Sequence, residues 1–336
     1  MSAPQSAPAG SNPAPTKIVV GTRESALAIK QTEIVIEGLK KLRPDLQFEI
    51  NAMKTIGDKD QLTALYKFGG KGLWTNELEA KLGAREVDII VHSLKDMPTT
   101  LPEGFTLAAV TKREDPRDVV VFKKSLEGKY KTIGELPEGS VVGTSSIRRI
   151  AQLKRRYPHL QFADVRGNIQ TRLRKGDDEE GPFSAIILAA AGLLRLDFGN
   201  RISQYLESSG GGILHAVGQG ALGVEARLDD PFVLDLLKEY QDDKTALACA
   251  AERSVMRTLE GGCSVPIGVE TKWVEGGNKL RLTATVVNFE GTEFADVDET
   301  EVIETAEAAE KFGRDVAQKL SERGADKILD VIKQIK

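Results

Sequence analysis

The chain has 336 residues, of which 40% are hydrophobic and 29% are charged, so it is long enough for two or three domains with substantial cores. Its formal net charge of −4, with only five tyrosines and two tryptophans, argues against a nucleic-acid-binding protein, and no apolar run approaches the roughly 18 residues of a membrane span. Two cysteines exclude a disulfide framework and indicate a reducing compartment, while three histidines without ligand spacing argue against a protein-bound zinc or iron site.

Residues 1–16 consist mainly of Ala, Pro and Ser and carry no charged side chain. They lack the basic start and apolar stretch of a secretory signal, and they lack the arginines of a transit peptide. We expect a disordered tail here.

The next elements predict an open α/β domain. Residues 17–21 are rich in β-formers, residues 26–42 carry apolar side chains at helical spacing, and residues 46–53 alternate as a strand. Ligands of such domains bind at the carboxyl ends of strands and at helix N-termini. The polar side chains nearest to that point are Arg23 and Ser25 in the first strand-to-helix turn and Gln31 in the helix.

Residues 55–75 show weak periodicity and contain four glycines among charged side chains. They lack the G-x-x-x-x-G-K-[ST] spacing of a nucleotide phosphate loop. We expect a mobile lid over a site, followed by a helix over residues 73–82.

The run V-D-I-I-V over residues 87–91 predicts a central strand, and Lys95 and Asp96 follow near its carboxyl end. An aspartate at such a point is often only a turn former or a helix cap. The functional alternative is a carboxylate that faces a cationic intermediate. Asp96 suits that role because the arginine-rich stretch further along the chain would otherwise have no counter-charge.

Residues 144–175 contain nine Lys or Arg and only one acidic residue. Arg148 and Arg149 follow G-T-S-S, a strand-to-helix turn in which Ser146 is placed to cap the helix. Cations at a helix N-terminus oppose the macrodipole, so two in succession indicate a bound anion. A solvated helix face is the alternative, and it stays open above all for the three cations over residues 154–156.

A second domain is predicted around this stretch. Strands are expected over residues 106–110 and 118–122, and the charged segment between them predicts a crossover. The apolar run over residues 184–190 predicts a strand buried on both faces. Three further arginines lie near strand ends: Arg166 after residues 161–165, Arg172 in the helix that follows, and Arg195 after a turn at residues 191–194.

The glycine-rich segment 217–225 predicts a strand that returns to the first domain, so that two α/β lobes resemble a periplasmic-binding-protein pair. A helix over residues 243–259 that buries Cys249, a hairpin over residues 267–288, a third strand and two helices then predict a small C-terminal α+β domain. The expected domains are 17–113 with 217–238, 114–216, and 239–336.

Cys263 lies in G-G-C-S-V-P, past a helix end and before a strand, where the glycines leave its sulfur accessible. No His or Asn beside it supports a protease-like nucleophile. A free thiol in a flexible turn suits covalent attachment of a prosthetic group, and an incidental turn cysteine is the alternative.

Six motifs occur in one chain and in this order: G-T-R-E-S-A-L-A, V-H-S-L-K-D-M-P, G-T-S-S-I-R-R, R-G-N-I-Q-T-R-L, V-G-Q-G-A-L-G-V-E and G-G-C-S-V-P. On these motifs the sequence resembles the porphobilinogen deaminase (hydroxymethylbilane synthase) family over residues 17–290. The resemblance implies a transferase with a dipyrromethane cofactor, joined through a thioether to Cys263, that primes the head-to-tail addition of four porphobilinogen molecules with loss of ammonia. Hydrolysis would then release hydroxymethylbilane for tetrapyrrole (haem or chlorophyll) biosynthesis.

The resemblance also assigns roles to residues. Asp96 matches the family's catalytic carboxylate, with Lys95 beside it. Cofactor binding falls on Cys263, Lys95, Asp96, Thr144, Ser145, Ser146, Arg148, Arg149, Arg172 and Gln219. Substrate binding falls on Arg23, Ser25, Gln31, Arg148, Arg149, Arg166, Arg172 and Arg195, and no metal is implied.

The residue types agree with that chemistry. Each pyrrole ring carries an acetate and a propionate, so a growing chain is a polycarboxylate that calls for bidentate arginines. Loss of ammonia leaves a cationic azafulvene, which a nearby carboxylate would stabilise. We expect a cytoplasmic monomer, with a plastid location not excluded, and neither nucleic acid nor membrane as partner. A two-lobed anion-binding protein without catalytic activity is the alternative.

Overall fold

The computed structural model describes residues 15–55, 75–259 and 265–334. Most of the expected tail, most of the expected lid and the turn with Cys263 lie outside these ranges. No helix within them is long and apolar enough to cross a membrane.

Strands and helices alternate through most of the chain. The first half contains β1 (Lys17–Arg23), α1 (Ala26–Leu42), β2 (Gln47–Met53), α2 (Asn76–Gly83), β3 (Ile89–Ser93), β4 (Phe105–Val110), β5 (Asp118–Phe122), β6 (Val141–Gly143), α3 (Ile147–Arg156), β7 (Gln161–Ala163) and α4 (Ile169–Asp177). The second half contains β8 (Phe183–Ala189), α5 (Ala190–Arg195), β9 (Gln204–Tyr205), β10 (Leu222–Arg227), α6 (Pro231–Tyr240), α7 (Asp243–Thr258), β11 (Ile267–Val274), β12 (Lys279–Val287), β13 (Phe294–Val302), α8 (Ala306–Glu322) and α9 (Ala325–Gln334).

The first lobe is built on a five-stranded sheet in the order β2-β1-β3-β10-β4. β1 pairs in parallel with β2 and β3, whereas β10 runs antiparallel to β3 and β4. β10 enters this sheet only after the chain has completed the second lobe, which confirms the predicted returning strand. The side chain of Ser25 accepts a hydrogen bond from the N–H of Ala28 and so caps α1.

The second lobe repeats the plan with the order β7-β6-β8-β5-β9. β8 is buried along most of its length and pairs with β6 in parallel and with β5 antiparallel, as its apolar run predicted. The expected turn over residues 191–194 was wrong, because Ala190–Arg195 is a short helix that starts directly after β8. Its sequence A-A-G-L-L-R is rich in strong helix formers, which explains the outcome.

The C-terminal part is a three-stranded antiparallel sheet, β11-β12-β13, packed against helices that include α7 and α8. Its apolar side chains form one cluster with those of the helices, as expected for a small α+β domain. Together, the three sheets confirm the predicted fold class of two α/β lobes with a smaller α+β domain.

Candidate active site

A cleft of about 490 Å³ lies where strand ends of the two lobes meet. It is lined by residues at the carboxyl ends of β1, β3 and β8 and by residues of the helices that follow these strands. This is the edge at which open α/β sheets bind ligands. Ten of the predicted site residues line the cleft: Arg23, Ser25, Gln31, Lys95, Asp96, Arg149, Arg166, Arg172, Arg195 and Gln219.

Four predicted residues lie beside the cleft, in the turn before α3 and at its start: Thr144, Ser145, Ser146 and Arg148. The hydroxyl of Thr144 accepts from the N–H of Ser146 (3.2 Å), and the hydroxyl of Ser145 donates to the carbonyl of Val165 (3.2 Å). Ser146 does precede α3, but its side chain makes no cap hydrogen bond. These side chains thus build the turn, and their binding roles stay predictions.

Asp118 supplies the anion that the paired arginines indicated. Arg148 donates to one carboxylate oxygen of Asp118 through Nη1 (2.7 Å), and Arg149 donates to the other through Nη2 (2.7 Å). All three side chains are buried. Asp118, rather than Asp96, is thus the acid that pairs with Arg148 and Arg149, whereas the charge of Asp96 acts on Arg172 of the same stretch. The sequence signal for Asp118 was slight, a single acid at the start of the apolar strand D-V-V-V-F.

Burial alone would raise the pKa of Asp118, but the Arg148 and Arg149 guanidinium groups hold that pKa well below its usual range. The carboxylate therefore stays ionised at any pH at which the protein works. Burial lowers the pKa of Arg148 in spite of this partner.

A short hydrogen-bonded chain joins Asp118 to Lys95. Gln219 donates through Nε2 to Asp118 (3.0 Å), and its Oε1 accepts from the Lys95 ammonium (3.3 Å). Burial lowers the pKa of Lys95 to about 8, although Asp96 next to it acts in the opposite direction. Lys95 is thus a cation at neutral pH that can release its proton under mildly basic conditions.

Asp96 ends the single helical turn that follows β3 and lies on the cleft wall. It is half-buried. The carbonyls of the next two residues, Met97 and Pro98, accept from Arg253 of α7 (3.4 and 2.6 Å). The loop that carries the carboxylate is therefore anchored to the C-terminal part of the chain.

Two further cations of the cleft, Arg172 and Arg195, donate to backbone carbonyls. Arg172 donates to the carbonyl of Gly167 (2.8 Å), and burial, followed by the proximity of Arg149, lowers the pKa of Arg172 to about 10. Arg195 donates to the carbonyl of Gly220 (2.7 Å), and burial lowers its pKa as well. A cleft that gathers cations beyond its own acids fits a ligand with several carboxylates.

Of the two cysteines, the structure describes Cys249. Cys249 is fully buried in α7, and burial raises its pKa to about 12, so it is core, as predicted, and unsuited to attack an electrophile. Cys263 lies outside the described residues. Within those residues, no group of His, Cys, Asp and Glu could hold a metal ion.

Fold and cleft define a class of protein, namely a two-lobed α/β protein whose cleft combines clustered cations with one cleft-wall aspartate and suits a small polycarboxylate. Comparison with known proteins gives the particular family. The model of the porphobilinogen deaminase, dipyromethane cofactor binding domain matches residues 18–235, and that of the porphobilinogen deaminase, C-terminal domain matches residues 246–322. The chain belongs to the porphobilinogen deaminase family, and its cofactor is accordingly dipyrromethane.

Named relatives agree over almost the whole chain. Porphobilinogen deaminase of Neurospora crassa is 58% identical over 319 residues, which cover 94% of each chain. Porphobilinogen deaminase of Saccharomyces cerevisiae is 48% identical over 324 residues, which cover 95% of this chain and 98% of the relative. Among solved structures, the chain is similar to the periplasmic VFT2 domain of Bordetella pertussis BvgS at 15% identity and a TM-score of 0.38, covering 68% of this chain and 90% of that one.

Proposed function

We propose that the protein is a transferase that joins four porphobilinogen molecules head to tail on a covalently attached dipyrromethane primer, releases ammonia at each addition, and frees hydroxymethylbilane by hydrolysis. The observation that carries the proposal is the cleft in which cations of both lobes surround Asp96. Family membership supports the same activity and not the alternative of an anion-binding protein without catalysis.

The residues of the cleft fit the cofactor. Dipyrromethane carries an acetate and a propionate on each ring, and when bound it supplies the pyrrole carbon to which the first substrate is joined. Arg149 and Arg172 line the cleft, where they can donate hydrogen bonds to its carboxylates, and Lys95 adds a third positive charge. Cys263 would attach it, as the resemblance implies.

Asp96 is proposed to stabilise the positive charge that develops on the porphobilinogen ring as ammonia departs. A carboxylate beside the pyrrole N–H accepts its hydrogen bond and lowers the energy of the cationic ring. The same oxygen can hold the proton that the ring gives up when it becomes aromatic again. Arg23, Arg166 and Arg195 would meanwhile bind the substrate's own acetate and propionate.

Lys95 has two properties that suit its predicted catalytic role. As an ammonium it can bind a carboxylate next to Asp96. Because its pKa is about 8, it can also exchange a proton near neutral pH, and the departing amine needs one.

Replacing the carboxylate tests the catalytic proposal. We expect Asp96→Asn to fold normally and to lose roughly 10²-fold or more of its turnover, because one electrostatic group of a cleft contributes about that much. Ammonia release and hydroxymethylbilane formation should be measured together. The matched control is Asp45→Asn, since Asp45 is an exposed partner of Arg43 outside the cleft. Near-normal turnover of Asp96→Asn would remove Asp96 from this role.

Intact mass tests the attachment. The purified protein should exceed its sequence mass by one dipyrromethane, and it should give a colour with Ehrlich's reagent. We expect Cys263→Ala to lose the added mass and Cys249→Ala to keep it, because Cys249 is buried in the core. Added mass that persists in Cys263→Ala would place the attachment elsewhere.

The proposal extends to the location, the oligomeric state and the domain boundaries of the protein. We propose a cytoplasmic monomer whose domains comprise residues 17–113 with 217–238, residues 114–216, and residues 239–336. Separate apolar clusters in the two lobes and the C-terminal part support such a division. Sedimentation equilibrium of the purified protein would test the monomer.

A further inference from the structure

We propose that Asp118 is a positioning residue of the reaction: it fixes Arg149 and Gln219, and through Gln219 and its own charge it holds Lys95 as a cation in the cleft. The inference rests on the proposed function only for its kinetic consequence. The arrangement itself can be tested without turnover.

Asp118 is fully buried and is surrounded by donors. Its Oδ2 accepts from Arg148 Nη1 (2.7 Å), and its Oδ1 accepts from Arg149 Nε (3.0 Å) and Nη2 (2.7 Å) and from Gln219 Nε2 (3.0 Å). Arg149 also donates through Nη1 to the carbonyl of Ile187 (2.8 Å). Hydrogen bonds to Asp118 and to Ile187 thus fix the orientation of the Arg149 guanidinium, which lines the cleft.

The orientation of the Gln219 amide follows from the charge of Asp118. An ionised carboxylate can only accept, so the nitrogen of the amide must face it. Nε2 also donates to the carbonyl of Pro116 (2.7 Å), which engages a second donor position. The amide oxygen is therefore directed to the other side, where it accepts from the Lys95 ammonium (3.3 Å).

Asp118 acts on Lys95 through its charge as well. Burial is the main influence that favours the neutral amine, and Arg149 and Arg148 act in the same direction, whereas Asp96 and Asp118 favour the ammonium. Asp118 therefore offsets the two arginines that it holds. If Asp118 lost its charge, Arg148 and Arg149 would still favour the neutral amine of Lys95. Of the two acids, only Asp96 would still favour the ammonium.

The test measures the protonation of Lys95 directly. The protein as purified is treated with a limiting amount of acetic anhydride across pH 6 to 10, and the labelled Lys95 peptide is quantified by mass spectrometry. In Asp118→Asn we expect the labelling midpoint to move to lower pH by about one unit, because removal of a nearby opposite charge changes a pKa by about that much. The alkaline limb of the pH–rate profile should move in the same direction.

Asp115→Asn is the matched control. Asp115 lies three residues before Asp118, in the crossover that leads into β5, and pairs with Arg117 (2.6 Å), so its substitution removes an aspartate charge without touching Arg149 or Gln219. We expect its labelling midpoint to equal that of the native protein. A midpoint in Asp118→Asn that also equals the native value would overturn the proposal, even if turnover fell.

A second variant covers the case in which Asp118→Asn does not fold, since two buried guanidinium groups would lose their partner. Gln219→Met leaves the carboxylate and both arginines in place but removes the amide that joins them to Lys95. We expect a smaller shift of the Lys95 midpoint in the same direction. An unchanged midpoint in Gln219→Met would refute the transmission through Gln219. If the native protein did not consume porphobilinogen, the proposed function would fail, while the labelling result would still decide the role of Asp118.

Discussion

At the scale of single residues, Arg172 is a cation of the cleft whose charge lowers the stability of the folded state. The guanidinium is largely buried and close to another cation, Arg149, and its pKa is lowered from 12.5 to about 10. Because the folded pKa lies below the ordinary value, the charged form destabilises the folded state at every pH below about 10. At pH 7 the difference corresponds to about 3 kcal/mol. An anionic ligand in the cleft would remove much of this penalty.

We therefore expect Arg172→Gln to make the cofactor-free protein more stable and the loaded enzyme less active. In a Cys263→Ala background, the urea midpoint should rise by an amount equivalent to about 1–3 kcal/mol. In the otherwise native protein, KM for porphobilinogen should increase. Arg174→Gln, an exposed cation on the same helix, should change neither quantity. A lower urea midpoint for Arg172→Gln would show that the residue stabilises the fold.

Sequence patterns located most of the cleft's cations but missed Asp118. Arg23, Lys95 and Arg166 could be predicted because each lies at or just after the carboxyl end of a strand, which is visible locally. The partners of Asp118 are 30, 31 and 101 residues away along the chain. Contacts between positions so far apart follow from tertiary packing, within the second lobe for Arg148 and Arg149 and at the returning segment for Gln219, and no local periodicity contains that information.

At the scale of elements, α7 packs against the C-terminal sheet and also contacts the loop that follows Asp96. Arg253 of this helix donates to the carbonyls of Met97 (3.4 Å) and Pro98 (2.6 Å), and Arg257, one turn later, donates to the carbonyl of Thr99 (3.3 Å). These three carbonyls follow Asp96 directly. A helix of the C-terminal part thus holds the loop on which the proposed catalytic carboxylate is placed.

Removing the first of these donors should affect both stability and turnover. We expect Arg253→Met to destabilise the protein by about 2–3 kcal/mol, since two carbonyls lose a charged donor, and to lower kcat because the Asp96 loop gains freedom. Arg257→Met should have a smaller effect, because Arg257 is more exposed and gives these carbonyls one hydrogen bond of 3.3 Å, whereas Arg253 gives them two, one of them at 2.6 Å. Denaturant titration and initial rates measure the two effects. Equal effects of the two substitutions would contradict this account of the loop.

Element boundaries could be predicted where the signal is local. α1 was predicted over its observed range because apolar spacing defines it and Pro44 follows its end. β9 has only two residues and shows no alternation, so its pairing with β5 depends on the neighbouring strand. α5 was taken for a turn because six residues are too few to show a helical period.

At the scale of the whole molecule, one buried carboxylate joins both crossovers to the C-terminal domain. Glu252 of α7 accepts from Arg113 of the first crossover (2.6 and 3.0 Å), from the N–H of Gly218 in the returning crossover (2.8 Å), and from the hydroxyl of Thr271 in β11 (2.6 Å). Burial alone would raise the pKa of Glu252, but Arg113 and then His215 bring it to about 2. The contact network of Glu252 therefore requires its ionised form.

His215 lies beside this network and makes the assembly sensitive to acid. It is buried, and burial followed by the charge of Arg113 lowers its pKa from 6.5 to about 4. Below pH 6.5 the unfolded chain takes up a proton at this position, whereas the folded protein does so only near pH 4. The stability that this histidine confers is therefore complete above pH 6.5 and is lost as the pH falls towards 4, by about 3 kcal/mol in total.

We expect the urea midpoint of the native protein to fall steadily between pH 6.5 and 4, and that of His215→Leu to stay nearly level over this interval. Below pH 4.5 both proteins should lose stability, because Glu252 then begins to bind its proton in the unfolded chain while its folded pKa is about 2. His159→Leu is the control for the loss of a histidine, and it should keep the native slope because His215 is intact. If His215→Leu showed that same slope between pH 6.5 and 4, the acid sensitivity over this interval would have to arise from groups other than His215.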